Sequence, residues 1–552
     1  MTKLLYPSTS GAALDHPPQR RLGWLLRIPA LAGLLLVTGC SFIPAYQRPE
    51  APIATTWPSG INEPTDVAPV AELPWQQFFT DPRLSSLIEI ALFHNRDLRV
   101  AIESVEQARA LYGIRRADQF PTLNAGGTVS RAPAVIAGKK TNVTTYNVGL
   151  LVNAWEIDFF GRIESLKEAA LAQYLASEQG ARAAQISLVS AVANTWFALL
   201  ADQQLIEITR QTLETRQQSQ KLAQLRFDNG VTSELDLRQA ESLTEAANAS
   251  LASVERQRAL DENALTLLIG RPVDMRLTDS TLFGEVTPNA IGVVDVPAGL
   301  PSDLLQRRPD ILQAELQLIA ANANIGAARA AFFPRITLTA GLGLVSNQLS
   351  GLFQSGALGL TASSQALLPI FDFGRNEANL EAVRAGRRIA VAQYQKAIQS
   401  AFRDVADALA GRATLGEQLR AIRAQARAES VRFKLADMRY QNGISSYLEL
   451  LDAQRALFGT QQAVVQTRLA QLQSRVLLYK ALGGGWSEVA AAGPRVGPDG
   501  RPLPAAAPQT VEPAFQPVPT AQPRDSAKPA PAGVPRSATP KARNKAPSII
   551  KR

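Results

Sequence analysis

The stretch FDNGVTS at residues 227–233 is followed, 213 residues later, by YQNGISS at residues 440–446. Each stretch lies inside a long segment without proline, since none occurs from 134 to 271 or from 370 to 493. Glycine readily adopts the left-handed conformation that ends a helix, and the serine that follows suits the start of the next helix. Both stretches therefore predict the tip of a helical hairpin.

The offset of 213 residues relates the two halves of the chain throughout. Five landmarks recur at this offset: Asp97-Leu98 as Asp310-Ile311, Phe120-Pro121 as Phe333-Pro334, Phe160-Gly161-Arg162 as Phe373-Gly374-Arg375, Asn229-Gly230 as Asn442-Gly443, and Ile269-Gly270 as Leu482-Gly483. A constant period of this kind is the signature of a repeated structural unit. We therefore expect two copies of one unit, at residues 82–270 and 302–483, joined by a connector at 271–301.

Each copy predicts the same order of elements. A helical stretch, at 82–118 and at 302–331, ends at Phe-Pro, because proline disfavours the helical conformation in the residue before it. Alternation of apolar with small or polar residues then predicts a pair of strands. This alternation is clearest at Tyr146, Val148, Leu150, Ile336, Leu338 and Ala340. The apolar face of such strands meets lipid in a membrane barrel or a core in a soluble hairpin, and the pattern alone leaves both open.

A very long helix is predicted after each Phe-Gly-Arg. Residues 162–226 would span about 97 Å, and the return stretch 232–270 about 58 Å, at a rise of about 1.5 Å per residue. The long helix thus matches the return helix and the ascending helix of roughly 55 Å placed end to end. A heptad seam of the coiled-coil kind is formed by Ile186, Val189, Ala193, Trp196 and Leu200.

The charge of the chain is unevenly distributed. The formal net charge is +9, but residues 495–552 hold ten Lys or Arg against three Asp or Glu, and residues 1–39 hold four against one. The remaining body is near −1 by difference. A nucleic-acid-binding protein needs a basic face on its folded part, so nucleic acid is not a predicted partner. The tail also contains 13 of the 35 prolines and is expected to be disordered.

The chain has one cysteine, Cys40, and two histidines, His16 and His94. An intrachain disulfide and a zinc site of Cys and His are therefore excluded, and acid–base catalysis by histidine has no partner residues. We expect no enzyme activity, no cofactor and no metal site, and interpret His94 as an ordinary side chain at a helix end.

The N-terminal segment is typical of a lipoprotein signal peptide. Arg20, Arg21 and Arg27 precede a short apolar run at 28–37, which ends in the sequence VTGC with Cys40 as its last residue. This ending resembles the lipobox of bacterial lipoproteins, in which the cysteine is acylated and becomes the new N-terminus. Acyl chains hold a protein on a membrane without a span. Ser41, in place of aspartate, implies delivery to the outer membrane by resemblance to lipoprotein sorting rules.

One chain cannot complete the predicted structure. No apolar run after the leader reaches the length of a transmembrane helix, so a membrane crossing would require a β-barrel. Two copies supply four strands, whereas membrane barrels need about eight or more. Helices about 100 Å long likewise cannot bury their seams within one chain. Three chains would give twelve strands and a ring of helices.

Linked motifs then identify a family. The chain resembles the TolC-type outer-membrane factors, in their NodT-like lipoprotein branch, over roughly residues 36–487. The motifs that carry the resemblance, besides the Phe-Pro, Phe-Gly-Arg and Asn-Gly landmarks, are WQQF at 75–78, DPRL at 81–84, LLDAQR at 450–455 and LGGGW at 482–486. The resemblance implies a homotrimer that is mainly helical with membrane β structure. In it a twelve-stranded β-barrel in the outer membrane continues into a periplasmic helical barrel, with a mixed equatorial belt.

The resemblance also implies a passive duct with a gate at its periplasmic end. Alignment on the tip glycine places the family's constriction acids at Asp236, Glu449 and Asp452, which would ring the pore with carboxylates and attract cations. The alternative is that Asp236 and Glu449 only cap helix starts, since Ser446 with Glu449 fits a capping box and Ser233 with Asp236 a weaker version of one. Tyr440 is our further candidate for the gate. Ser445-Ser446 stands where family members carry a latch arginine, so the latch is expected to differ.

The tips themselves are the predicted contacts of a periplasmic membrane-fusion adaptor. The residues assigned to this contact are Asn229, Gly230, Asn442 and Gly443. Plain turn chemistry would account for the same residues. An inner-membrane pump of the RND type would then supply the work, and drugs or other small toxic compounds would be the cargo.

Two other functions remain open from the residues. The first is an outer-membrane duct for type I protein secretion, which has the same fold. The second is a structural periplasmic coiled-coil lipoprotein, although two hairpins and two amphipathic strand pairs fit a duct better. The predicted divisions are a signal peptide at 1–39, a lipid-anchored extended segment at 40–81, the repeats and connector given above, and an equatorial end with a disordered tail at 484–552.

Overall fold

A computed structural model of the protein describes residues 41–54, 57, 73–136, 138–272, 293–297 and 307–485. The predicted signal peptide, the lipid attachment at Cys40, most of the connector at 271–301 and the tail after residue 485 lie outside the described residues. The chain divides into two units, Met1–Gly493 and Pro494–Arg552, and only the first contains described residues.

The described part of the chain contains eight α-helices, a short 3₁₀ helix at Leu349–Gly351 and four strands. The helices are α1 (Trp75–Phe78), α2 (Pro82–His94), α3 (Arg96–Ala117), α4 (Arg162–Asp228), α5 (Glu234–Ile269), α6 (Pro309–Ala330), α7 (Arg375–Gln441) and α8 (Tyr447–Ala481). The strands are β1 (Leu123–Ile136), β2 (Lys139–Glu156), β3 (Arg335–Ser346) and β4 (Leu358–Leu367).

The two long helices, α4 and α7, have 67 residues each, and their bounds are related by the offset of 213. Both begin after a glycine with positive φ, Gly161 at 66° and Gly374 at 80°. An aspartate just before each glycine satisfies free backbone N–H groups of the first turn, as Asp158 does for Arg162 at 2.7 Å. The Phe-Gly-Arg motif is therefore a helix start that follows a strand.

The ascending helix predicted at 82–118 is two helices, α2 and α3, and the prediction of one continuous helix was wrong. Asn95 separates them with an extended backbone. Its side-chain oxygen accepts from the N–H of Leu98 at 2.8 Å, and its amide donates to the carbonyl oxygen of Leu268 at 2.8 Å. These bonds cap α3 and tie the break to the end of α5, which offsets the helical bonds lost there.

The four strands form one antiparallel sheet in the order β1-β2-β3-β4. The strand pairs of the two copies thus join through β2 and β3, where Gly149 lies opposite Gly343. Among the described residues, β1 and β4 each pair on one side only. The exposed apolar side chains of the sheet include Val129, Val148, Leu150, Leu342, Leu358 and Leu360.

The main core lies where α1 and α2 pack against the long helices. The five residues of the predicted seam on α4 are all buried. Phe78 stacks on Tyr479 of α8 with ring centroids 3.8 Å apart, and the hydroxyl of Tyr479 donates to the carbonyl oxygen of Leu73 at 2.6 Å. This stacking explains the WQQF motif, because its aromatic residues fill the space between the two halves of the chain.

Among the residues that the structure describes, one helix, α4, is long and apolar enough to cross a membrane by length and composition, so the expectation that no such run exists was too strong. In the described structure 61% of its most apolar window is buried, as in a core helix. The seam explains the apolar composition, because it packs against other helices of the chain.

Candidate functional site at the hairpin tips

The two predicted tips have the same backbone geometry. Gly230 and Gly443 both have φ of 70°. After each glycine a backbone N–H returns to the last helical turn, from Val231 to the carbonyl of Arg226 at 2.8 Å and from Ile444 to the carbonyl of Arg439 at 2.8 Å. These bonds satisfy carbonyl groups that the helix end would leave free.

The tip asparagines are engaged inside their own turns. The amide of Asn229 donates to the carbonyl of Leu225 at 2.7 Å, and that of Asn442 donates to the carbonyl of Met438 at 2.7 Å. Turn chemistry therefore accounts for both Asn-Gly pairs. Exposed apolar side chains also surround each tip, and sequence reasoning missed them. They recur at the 213-residue offset as Leu225 with Met438, Val231 with Ile444 and Leu235 with Leu448.

Asp236 is held as a helix-start residue. Its carboxylate accepts from the hydroxyl of Thr232 at 2.7 Å and from the hydroxyl of Ser233 at 3.0 Å. The backbone N–H of Asp236 donates to the Ser233 hydroxyl at 3.2 Å. The weaker of the two predicted capping interactions is therefore the one that forms.

The stronger predicted capping box, Ser446 with Glu449, does not form. The side chain of Ser446 makes no capping hydrogen bond. Glu449 points instead towards Arg439 of α7, with an oxygen 3.8 Å from Nε.

Asp452 lies one turn further along α8 and also pairs with α7. Its carboxylate forms a short ion pair with Arg432, which also contacts Glu429 at 3.2 Å. Both acids of the second hairpin are therefore neutralised by arginines of their own hairpin. Arg432 and Arg439 were missed in the sequence because their partners are distant in sequence, across the tip.

Tyr440 is buried between the two hairpins. Its ring lies 5.3 Å from that of Tyr447, and the guanidinium of Arg226, on the first hairpin, lies 4.4 Å from its centroid. Burial, followed by the proximity of Tyr440 and Asp236, raises the pKa of Tyr447 to about 12. The apolar residues of this junction are Ala223, Leu237, Ala240, Leu243, Ala436, Leu450, Leu451 and Ala453.

The chain that follows Cys40 runs antiparallel to α6, from the start of β3 towards the start of the helix. Phe42 stacks on Phe333 with centroids 4.7 Å apart, and Asn322 donates to the carbonyl oxygen of Pro44 at 2.7 Å. Arg48 forms an ion pair with Glu315, with its Nε 2.7 Å from a carboxylate oxygen. These contacts hold residues 42–48 along the helix and bring the N-terminal end of the segment next to the sheet.

Comparison with known proteins gives consistent matches. The model of the outer membrane efflux protein family matches twice, at residues 87–271 and 300–484. The solvent efflux pump outer membrane protein SrpC of Pseudomonas putida is 47% identical over 462 residues, which cover 82% of this chain and 97% of SrpC.

Two solved structures share the fold over most of their length. A membrane protein from Pseudomonas aeruginosa is 42% identical with a TM-score of 0.74, over 81% of this chain and 98% of that one. The open state of the MtrE outer membrane channel of Neisseria gonorrhoeae is 38% identical with a TM-score of 0.71, over 81% and 98%. From the duplicated hairpins, the shared four-stranded sheet and these matches, the chain belongs to the outer membrane efflux protein family and has its TolC-like fold.

Proposed function

We propose that the protein is the outer-membrane channel of a tripartite efflux system, which passively conducts drugs and other small toxic compounds to the exterior. The observation that carries this proposal is the pairing of two long helical hairpins with an amphipathic four-stranded sheet in a member of this family. SrpC is named as part of a solvent efflux pump, which supports small apolar compounds as cargo. An RND-type inner-membrane pump and a periplasmic adaptor would complete the system.

The open sheet supports a homotrimer. β1 and β4 leave their outer edges unpaired within the described chain, and lipid does not tolerate unpaired backbone groups. Pairing of β1 with β4 of the next chain removes both edges, and three chains reach twelve strands, within the range of closed membrane barrels. The exposed apolar side chains of the sheet then face lipid.

The exposed apolar residues at the tips support a docking surface for the adaptor. Val231 and Ile444 are 73% and 69% exposed, and Leu235 and Leu448 are 66% and 64% exposed. Exposed apolar side chains repeated at one end of a protein mark an interaction surface. Asn229, Gly230, Asn442 and Gly443 then act mainly by shaping the two turns, while their neighbours provide the apolar contact.

The acids near the tips support a gate. Asp236, Glu449 and Asp452 lie within two turns of the tips on helices that a trimer would bring together. In the described chain Glu449 and Asp452 are paired with arginines, so opening would expose their carboxylates to passing cations. Tyr440 would act by fastening one hairpin to the other, because its ring is buried between them.

The course of residues 41–48 supports acylation of Cys40. Ser41 follows the predicted lipid-bearing cysteine, and Phe42 lies against Phe333, just before β3 begins. The end of a membrane strand is where an acyl chain attached nearby can enter the lipid. A Cys40→Ser variant is expected to lose incorporation of labelled palmitate and to remain unprocessed.

Single-channel conductance in planar bilayers tests the function. Purified trimers should give small cation-selective openings, and the double variant Glu449→Ala/Asp452→Ala should give larger or less selective ones. Glu417→Ala removes an exposed acid of α7 far from the tip and serves as the control, since it should conduct as wild type does. A complete lack of conductance from folded trimers, even with adaptor present, would overturn the proposal that the protein is a channel.

Protein secretion is the competing function for the same fold. A strain that lacks the gene should lose tolerance to toluene and to antibiotics, and the wild-type gene should restore it. Unchanged tolerance together with loss of a secreted protein would favour the secretion duct.

A further inference from the structure

A cavity of about 140 Å³ lies between the first hairpin and the second, a few helical turns from the tips. It is lined by Ile208, Gln211, Thr212, Thr215 and Arg216 of α4, by Phe433 of α7, and by Gln454, Leu457, Phe458 and Gln461 of α8. Within this lining Arg216 is the only charged residue.

Arg216 is buried but incompletely bonded. The residue is 5% exposed, one terminal nitrogen donates to the carbonyl oxygen of Leu243 at 2.9 Å, and the guanidinium lies 5.3 Å from the ring centroid of Phe458. Its Nε has no hydrogen-bond partner among the described residues. A buried charge normally carries a counter-charge, because water no longer stabilises it.

The surroundings of Arg216 also lack a negative charge that would stabilise its guanidinium. Burial, and after it the charge of Arg455, lower the pKa of Arg216. No carboxylate of the described chain acts on the guanidinium, which stays charged at any pH the protein meets. The cavity therefore has an excess of positive charge.

The duplication provides an internal reference for this position. Arg216 corresponds to Glu429 in the second copy, where the carboxylate pairs with Arg432 at 3.2 Å. Gln454 corresponds to Glu241 in the first copy, which pairs with Arg238 at 2.8 Å. The residues equivalent to Arg216 and Gln454 in the other copies are thus acids, and each of these acids is paired with an arginine. The cavity itself contains Arg216 but no acid in its lining.

Among the neighbouring polar groups of the cavity, the glutamine amides are the candidate donors to a ligand. The hydroxyls of Thr212 and Thr215 donate to carbonyl groups of their own helix at 2.8 and 2.9 Å, so they are not free to donate to a ligand. The amide of Gln454 reaches Ser219 at 3.3 Å, while its Oε1 is buried without a partner. Rotation of this amide would exchange its NH₂ and oxygen positions and supply a donor inside the cavity.

We propose that this cavity binds one small monovalent anion, chloride or a small carboxylate, through Nε of Arg216 with the amides of Gln454 and Gln461 as further donors. The anion supplies the counter-charge that Arg216 lacks. Because the lining comes from α4 on one side and α7 and α8 on the other, the bound anion also stabilises the packing of the first hairpin against the second.

The thermal midpoint of the full-length trimer in detergent tests the proposal. Sodium chloride, sodium acetate and sodium gluconate are compared at constant ionic strength. We expect a saturable rise of about 1–2 °C between about 1 and 100 mM chloride. A similar rise in acetate identifies small carboxylates as ligands too, whereas gluconate is too large and should give none.

Three variants separate anion binding from general stability. Arg216→Gln should lose the chloride response, and Arg256→Gln, which removes an exposed arginine of α5, should keep it. Gln454→Glu places a carboxylate in the cavity, so its midpoint should be independent of chloride and no lower than that of wild type in saturating chloride.

Crystals grown in sodium bromide give a readout that does not depend on any variant. Anomalous density beside Nε of Arg216 is the expected result. The same midpoint in all three salts, with no bromide peak at Arg216, would mean that the cavity holds only water and would overturn the proposal.

Discussion

Gly149 and Gly343 set the closest approach of β2 and β3. A Cβ atom at Gly149 would lie 2.4 Å from the Cα of Gly343 and 2.4 Å from the carbonyl oxygen of Leu342. Both are backbone atoms, so the strands themselves would have to move. We expect Gly149→Ala to cost about 1–3 kcal/mol and to lower the temperature at which trimers dissociate on a denaturing gel.

Gly359→Ala is the matched control for this substitution. Gly359 lies in β4 of the same sheet, and its Cβ would meet only a side-chain atom of Val345 at 3.9 Å. An equal loss in both variants would show that the sheet disfavours any added methyl group, and would contradict the role of close approach.

Asp202 of α4 predicts a dependence of stability on pH. The residue is 7% exposed, and burial, followed by the hydrogen bond and the charge of Asp261 on α5, raises its pKa to about 7. Between about pH 4 and pH 7 the folded state therefore binds more protons than the unfolded state, so stability falls as pH rises through this window. Asp202→Asn should raise the thermal midpoint at pH 8, because the variant has no carboxylate to ionise there, and should change it little at pH 4.

Glu214→Gln provides the comparison, because Glu214 is an exposed acid on the same helix. Its midpoint should follow the wild-type curve from pH 4 to pH 8. A wild-type midpoint that does not change with pH, or one that changes equally in Asp202→Asn, would rule out Asp202 as the titrating group.

At the scale of elements, the exposed apolar surface of the hairpin tips predicts that adaptor docking can be lost while conduction through the channel is unchanged. Ile444→Asp places a charge in the exposed apolar surface of the second tip, where Ile444 is 69% exposed. We expect at least a tenfold loss of adaptor binding by surface plasmon resonance, about 1.4 kcal/mol, with unchanged single-channel conductance of the isolated trimer.

Val431→Asp makes the same change on α7, about 20 Å above the tip at 1.5 Å per residue, where Val431 is 58% exposed. Adaptor binding should be retained in this variant. Loss of binding in both variants would place the docking surface along the helices rather than at the tips.

The boundaries of the long elements follow from local chemistry. Proline and the Phe-Gly-Arg motif mark where α4 and α7 begin, and Asn-Gly marks where they end, so their lengths were close to the predicted ones. The break at Asn95 was not predicted, because its amide is satisfied by Leu268, which is 173 residues away in the chain. Local propensity contains no information about such a partner.

For the whole molecule, a trimer predicts contact between the outer edges of β1 and β4 in neighbouring chains. Asn124 lies near the start of β1 and Gln365 near the end of β4, both at the helical end of the sheet. Cysteines at these two positions, joined by a flexible thiol cross-linker, should give covalent trimers on a denaturing gel.

A cysteine at Leu358 in place of the one at Gln365 supplies the control. Leu358 is at the other end of β4, about 23 Å further along the strand at about 3.3 Å per residue. Asn124→Cys with Leu358→Cys should therefore give monomers, as should each single variant. Equal cross-linking of both pairs, or products no larger than dimers, would contradict the closed ring of three chains.

The sequence by itself determined the duplication, the order of helices and strands and the two tips, because periodicity, proline, glycine and serine act over a few residues. It also identified Asp236, Glu449, Asp452 and Tyr440 as candidates for a gate by resemblance. Asp236 is held by its sequence neighbours Thr232 and Ser233, whereas only the tertiary structure decided how the other three side chains are held. Arg432, Arg439 and Arg226 contact them across the tip or between hairpins, and Arg216 stands where the other copy has the acid Glu429. These partners depend on which helix faces lie together, and distances along the chain do not specify that.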